Sequence, residues 1–337
     1  MVIVNNFRGF PPEWEAAGGE RGTSCQAESA ADFLKRGGEI GETDPDVIFL
    51  VNCEPRLTLE LGAARMARRT NVPVVSVDLV MRAPSTWTER AAFALKRPFL
   101  GQIDLFIHYF RDCRRYSEAF GISAERQAFV PFKVNLGIAR PLPPEPPDGE
   151  YVLCFGRSLR DFDTFFDAME LSGRPGAIAR PDPLQLRTHH ARFTRPANRL
   201  PANVRVLDDD GSEESQVRIL QGARIVVIPI LKASVVASGI STCLNAMALG
   251  RCVIGTEGPG MSDVFDNEII AVPPEDPAAL AAAIGRAWDD DTLRAKVARA
   301  GYQYAVKAGG EQELYQRIID QLALWYRQGR RLSPAKR

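Results

Sequence analysis

The stretch ASVVASGISTCLNAMALGRCVIGT, residues 233–256, decides the fold. It follows an apolar β-branched run, ARIVVIPI at 223–230, and passes through a small polar turn, SGIST at 238–242. It then enters the helical LNAMALG and closes on another apolar run, RCVIGT at 251–256. Strand, turn, helix and strand in that order predict a βαβ unit, and strands apolar on both faces are those of a parallel sheet covered by helices. A Gly-Ser-Thr turn opening a helix leaves backbone N–H groups without intrahelical partners at the positive end of the helix dipole, which suits a diphosphate. Ser238, Gly239, Ile240, Ser241 and Thr242 are therefore candidate phosphate ligands. The alternative is that Ser241 or Thr242 only caps the helix.

The same alternation extends outward on both sides. Upstream lie VIVNN at 2–6, DVIFLV at 46–51, VPVVSVDLV at 72–80 and IDLFIHYF at 103–110, with helix-period stretches at 27–36 and 57–69. PLPPEPPD at 141–148 places five prolines in a short span. It blocks helix and central strand alike and favours a stiff connector. Alternation restarts with YVLCFG at 151–156 and NVRVL at 203–207. The expected architecture is α/β, with two Rossmann-like, doubly wound parallel-sheet domains. Residues 1–140 form the first and 141–310 the second. Over 311–330, Leu314, Ile318, Ile319, Leu322 and Trp325 form a helix-period stripe, expected on a closing helix that returns to the first domain.

Composition narrows the partners. The 337 residues include 42 basic and 42 acidic side chains, so no global field attracts nucleic acid, and anion binding must be local. Six cysteines, at 25, 53, 113, 154, 243 and 252, include no CxxC pair and read as reduced and structural. The N-terminus MVIVNNFRGF lacks the pattern of a signal peptide, and no apolar run is long enough to span a membrane, so a cytoplasmic location is expected. His, Cys and carboxylates do not cluster at metal-ligand spacing, and no protein-held metal is expected.

The turn and helix SGIST…LNAMALGRCVI resemble the donor-binding region of family 4 and related GT-B glycosyltransferases, written as a Gly-rich turn followed by LEAMA-G-PVI. CFGRSLRDFDTF at 154–165 resembles the first strand and turn of that family's C-terminal domain, and AVPPEDPAALAAAI at 271–284 resembles its VPP-DP-ALA-AI end. The first half is similar only in outline. A strand VIVNN, a loop with PP and AGGERG, and a helix ending on LKRGGEI lead to DPDVIFLV with little between, as in a shortened N-terminal domain. The resemblance implies two domains facing across a cleft and a nucleotide-diphosphate sugar as donor substrate, with no other cofactor. It also implies transfer to a glycan or lipid-linked acceptor hydroxyl with retention.

The resemblance also assigns residues. Gly156 and Arg157 occupy the GR pair whose Arg holds the donor diphosphate. The family's Lys a few residues later is absent, and Arg160 and Lys232 are the nearest cations. Ala237 and Asn245 stand where the family has two glutamates; Asn245 keeps an amide that could meet the ribose hydroxyls. Asp78 is the polar residue nearest the family's His at a first-domain strand end. It could bind sugar hydroxyls or move a proton, or cap a loop. His108 ends another strand and reads as structural. The segment 88–106 mixes Phe93, Leu95, Phe99 and Leu100 with Arg90, Lys96 and Arg97. That mixture suits packing on its own domain or peripheral contact with an anionic membrane.

Asp78, Arg157 and Lys232 are the catalytic candidates. The donor-binding set is Gly156, Arg157, Arg160, Ser238–Thr242 and Asn245. Two other activities fit the same fold: a sugar-nucleotide epimerase or hydrolase, and a non-catalytic protein that acts through a partner.

Overall fold

A computed structural model of the protein describes residues 1–7, 9–39, 45–51, 55–137, 149–196 and 199–332. The chain divides into two compact units, Met1–Pro131 with Gln312–Arg337, and Phe132–Glu311. The proline run at 141–148 and Cys53 lie outside the described residues.

The first unit holds a seven-stranded sheet. Its strands are β1 (Val2–Asn5), β2 (Glu13–Glu15), β3 (Arg21–Gln26), β4 (Val47–Val51), β5 (Val74–Val77), β6 (Leu105–His108) and β7 (Gln127–Phe129), in the order β2-β3-β1-β4-β5-β6-β7. All neighbours are parallel except β2 and β3. The central strands are apolar on both faces, and β4, β5 and β6 are buried throughout. The helices are α1 (Ala30–Glu39), α2 (Pro55–Met66), α3 (Trp87–Ala94), α4 (Arg97–Leu100) and α5 (Arg114–Phe120).

The segment read from sequence as a loop with PP and AGGERG contains β2 and leads into β3. β3 pairs alongside β1 without an intervening helix. RGTSCQ is polar and alternates weakly, because β3 lies near the sheet's margin, where less apolar surface is covered.

The second unit holds six parallel strands: β8 (Tyr151–Cys154), β9 (Gly176–Ala179), β10 (Val204–Leu207), β11 (Ala223–Ile228), β12 (Cys252–Thr256) and β13 (Ile270–Val272). Their order is β10-β9-β8-β11-β12-β13. The chain builds outward from β8 on one side, then returns to add β11 on the other, so the topological switch lies between β8 and β11.

Helices α6 (Phe162–Ser172), α7 (Pro183–Thr188), α8 (Glu213–Gly222) and α9 (Ile240–Ala248) connect these strands, and α10 (Pro277–Asp289) and α11 (Asp291–Ala308) follow the last of them. Phe162, Phe165 and Phe166 of α6 join Val152, Ile225, Ile254 and Ile284 in one buried cluster.

The long helix α12 (Glu311–Leu332) is grouped with the first unit. It buries Leu314, Ile318, Ile319 and Leu322, while Trp325 stays partly exposed. Asp320 accepts the amide of Ala17 at 2.7 Å, Gln316 donates to the carbonyl of Glu15 at 2.9 Å, and the Tyr326 hydroxyl donates to Asp46 at 2.5 Å.

Candidate nucleotide site

Ligands of open α/β sheets bind beyond the carboxyl ends of the strands at the switch point, which here means the ends of β8 and β11. The chain leaves β8 through Phe155, Gly156 and Arg157. Gly156 has φ +97°, a conformation that excludes ordinary L residues. The exit from β11 runs to Gly239, with φ +82°, which is the N-cap of α9.

Among the described residues, no side chain caps α9. By contrast, Asp161, Asp182, Ser212, Asp276 and Asp290 cap α6, α7, α8, α10 and α11. The first amides of α9 therefore lack the side-chain acceptor that their neighbours have. Ser241 and Thr242 lie inside the helix, and neither is its cap.

Arg160 is the decisive side chain. Its residue is 1% exposed, and its Nε and Nη1 have no hydrogen-bond partner among the described residues. Burial pushes its pKa down to about 10, so it stays charged at neutral pH. The guanidinium packs against both glycines of the site: a Cβ at Gly239 would stand 2.8 Å from Nη1, and one at Gly156 would collide with Nη2. Cys154 and Cys243 are its near neighbours, and burial pushes the Cys154 thiol up to about 12. A buried cation with unused donors is costly unless something anionic completes it. Sequence names Arg160 as a candidate cation for the donor; its burial against Gly156 and Gly239 is seen only in the structure.

Arg157 is exposed on the rim of a pocket of about 280 Å³ that opens beside the turn. The pocket is lined by Gly156, Ser158, Ala179 and Asp209, which follow or end β8, β9 and β10, and by His189 at the end of α7 and Gln216 of α8, among others. It adjoins the exit from β8 and is large enough for a planar ring. Ser158 and His189 approach at 3.4 Å.

Other candidates fall into distinct places. Lys232 is exposed on the loop after β11, and Ser238 is buried before the N-cap. Asn245 is buried, and its side-chain oxygen accepts the amide of Asn135 at 2.9 Å. Asn135 also donates through its side chain to Ser241 and receives Lys133 Nζ at 2.5 Å. Sequence reasoning missed Asn135, which meets α9 from over a hundred residues away with no local signal. Ala237 faces the turn after β12, against Gly260.

In the first unit, Asp78 follows β5 with φ +52°, a region that Asp tolerates better than most residues. Burial raises its carboxyl pKa to about 7. His108 is a core residue, paired with Gln127 at 3.1 Å and stacked on Phe110, and burial lowers its pKa to about 4. Among the described residues, no group of three His, Cys, Asp or Glu side chains could hold a metal ion.

Comparison with known proteins bears on the fold. Residues 182–290 match the family model described as Glycosyl transferases group 1. No curated protein sequence matches the chain. Among solved structures, HepE from Anabaena, in complex with UDP and glucose, is similar over 87% of this chain and 80% of its own, at 15% identity and TM-score 0.63. The fold is GT-B.

Two further GT-B structures bracket this likeness. Sucrose-phosphate synthase from Thermosynechococcus elongatus is 16% identical over 99% of this chain and 89% of its own, with TM-score 0.64. α,α-Trehalose 6-phosphate synthase from Burkholderia multivorans is 12% identical over 89% and 76%, with TM-score 0.62. The group 1 match lies within the second unit and spans α9 with its glycine N-cap, but it stops short of Gly156, Arg157 and Arg160.

Proposed function

We propose that this GT-B chain is a glycosyltransferase whose second unit binds a nucleoside-diphosphate sugar and transfers its sugar, with retention, to an acceptor hydroxyl on a glycan or lipid-linked acceptor. The observation that supports it is Arg160, a buried guanidinium with unused donors at the uncapped N-terminus of α9. The diphosphate would complete that cation and accept the first amides of α9, with Arg157 and Lys232 adding charge from the exposed side.

These groups favour the developing charge on the departing diphosphate, which is where catalysis of this transfer needs stabilisation. The base would occupy the adjoining pocket beside Ala179 and His189. HepE, which shares the fold, is described in complex with UDP and with UDP-glucose. On the first unit, Asp78 is proposed to hold or deprotonate the acceptor hydroxyl, since a carboxyl with a pKa near 7 can do either at neutral pH.

A thermal-shift and calorimetric series with UDP, GDP, ADP and their sugars tests the donor. One nucleoside diphosphate should raise the melting temperature, and its monophosphate should do so far less. Absence of binding by any diphosphate at millimolar concentration overturns the reading. With the donor known, the anomeric form of the product decides retention. Turnover without any acceptor would point to hydrolysis or epimerisation instead.

A further inference from the structure

The crossover from β5 to β6 carries a helix with an exposed apolar face. α3 buries none of its residues. Trp87 is 80% exposed and Leu95, at its C-cap, 77% exposed. Ala91 and Ala94 lie between them at helical spacing and are exposed as well, so the four side chains form one apolar stripe. The inward side is accounted for: Phe93 packs on Phe120 with ring centroids 5.3 Å apart, and Leu100 of α4 is buried. The segment 88–106 thus divides its apolar residues between its own domain and the outside.

Charge indicates what the stripe meets. Between Asp78 and Asp104 the chain has four cations, Arg82, Arg90, Lys96 and Arg97, and a single carboxylate, Glu89. Glu89 is committed to the helix start. It accepts from the Ser85 hydroxyl and amide and from the Thr86 amide, pairs with Arg82, and its pKa is held down to about 2, chiefly by Ser85. Arg90 lies on the α3 stripe, and Lys96 and Arg97 follow directly beyond Leu95; all three are exposed. Arg97 donates to the carbonyl of Phe120 at 3.4 Å. A tryptophan and a leucine set among cations, on a helix fixed by a complete capping box, match the interfacial region of an anionic bilayer.

We infer that the α3 face of the first unit, Trp87, Ala91, Ala94 and Leu95 with Arg90, Lys96 and Arg97, seats the protein on a membrane surface rich in anionic lipid. The inference rests on this face alone and holds whatever the second unit binds.

The full chain sedimented with phosphatidylcholine vesicles, with or without phosphatidylglycerol, tests the inference. Binding is expected only with the anionic lipid, weakening as salt rises, with a blue shift of Trp87 emission. Trp87→Ser with Leu95→Ser should abolish it. Arg90→Gln with Lys96→Gln, which leaves the apolar stripe whole, should weaken it about fivefold for each charge removed. All four positions are exposed, so circular dichroism and melting should be unchanged, and nucleotide binding by the second unit should stay at the wild-type level. The inference is overturned by equal binding to neutral vesicles, by binding that survives the double serine variant, or by no vesicle binding. It is also overturned if the wild type is a dimer that the serine variant dissociates, which would make the stripe a contact between copies.

Discussion

The guanidinium of Arg160 covers the backbone of Gly239, so closely that a Cβ there would stand 2.8 Å from Nη1 and 2.6 Å from Ile228 Cγ2. The same glycine has φ +82°. Gly239→Ala meets both a left-handed backbone, worth about 1–2 kcal/mol, and a collision in a packed interior, worth about 1–3 kcal/mol. Urea unfolding should show a loss of about 2–5 kcal/mol. A loss below about 0.5 kcal/mol, the level of a surface change, would mean that this packing is wrong.

Arg160→Met should separate stability from binding. Removing a buried cation with unused donors should leave the ligand-free protein as stable as before or more so. Affinity for the nucleoside diphosphate should fall about 10- to 150-fold, the equivalent of one charge-assisted hydrogen bond worth about 1.5–3 kcal/mol. Calorimetric titration beside urea unfolding reads both. A variant that is less stable yet binds normally would make Arg160 a structural residue only.

Asp78 gives a pH signature. Its carboxyl titrates near 7 in the folded chain and near 3.8 as a free group, so the folded state holds a proton that the unfolded state releases between those values. Stability from this group must therefore fall as pH rises from about 4 to about 7 and level off above. Tyr109, itself influenced by Arg317 and Tyr315, is the titratable group that faces it. Asp78→Asn, close in shape and tolerant of the same backbone, should gain on the wild type across that interval in unfolding measurements. A constant difference with pH would contradict the burial. If Asp78 also serves the acceptor, the variant should lower kcat and leave donor affinity unchanged.

Asn245→Ala removes the oxygen that accepts the Asn135 amide. Leaving that N–H without its partner costs about 1–3 kcal/mol, visible in unfolding. If Asn245 also reads the ribose, affinity for the diphosphate should drop while affinity for pyrophosphate is retained. Equal loss for both would assign Asn245 to holding the turn alone.

Much of the frame was legible because the central strands are buried on both faces, and DVIFLV, VPVVSV and ARIVVIPI cannot be placed otherwise. GAIA, which forms β9, carries no strand signal of its own, because Gly and Ala have weak strand preference. β2 and β3 were hidden by polar composition. At the site, the turn 238–242 was visible as chemistry, but its capping was not: Ser and Thr inside SGIST suggest a cap, whereas Gly239 takes that position. Burial of Arg160 and the bond from Asn135 to Asn245 are tertiary facts, set by packing between segments far apart in the chain.

The grouping of α12 with the first unit sets an order of assembly. Asp46, the carbonyl of Glu15 and the amide of Ala17 are made early and wait for Tyr326, Gln316 and Asp320, which are synthesised after the whole second unit. The unit that begins the chain is thus the last to close, and the second unit can fold while its partner is still unfinished. A nonsense codon between Ala308 and Gln316 would spare every strand of both sheets and still leave the N-terminal half open along the face that α12 covers.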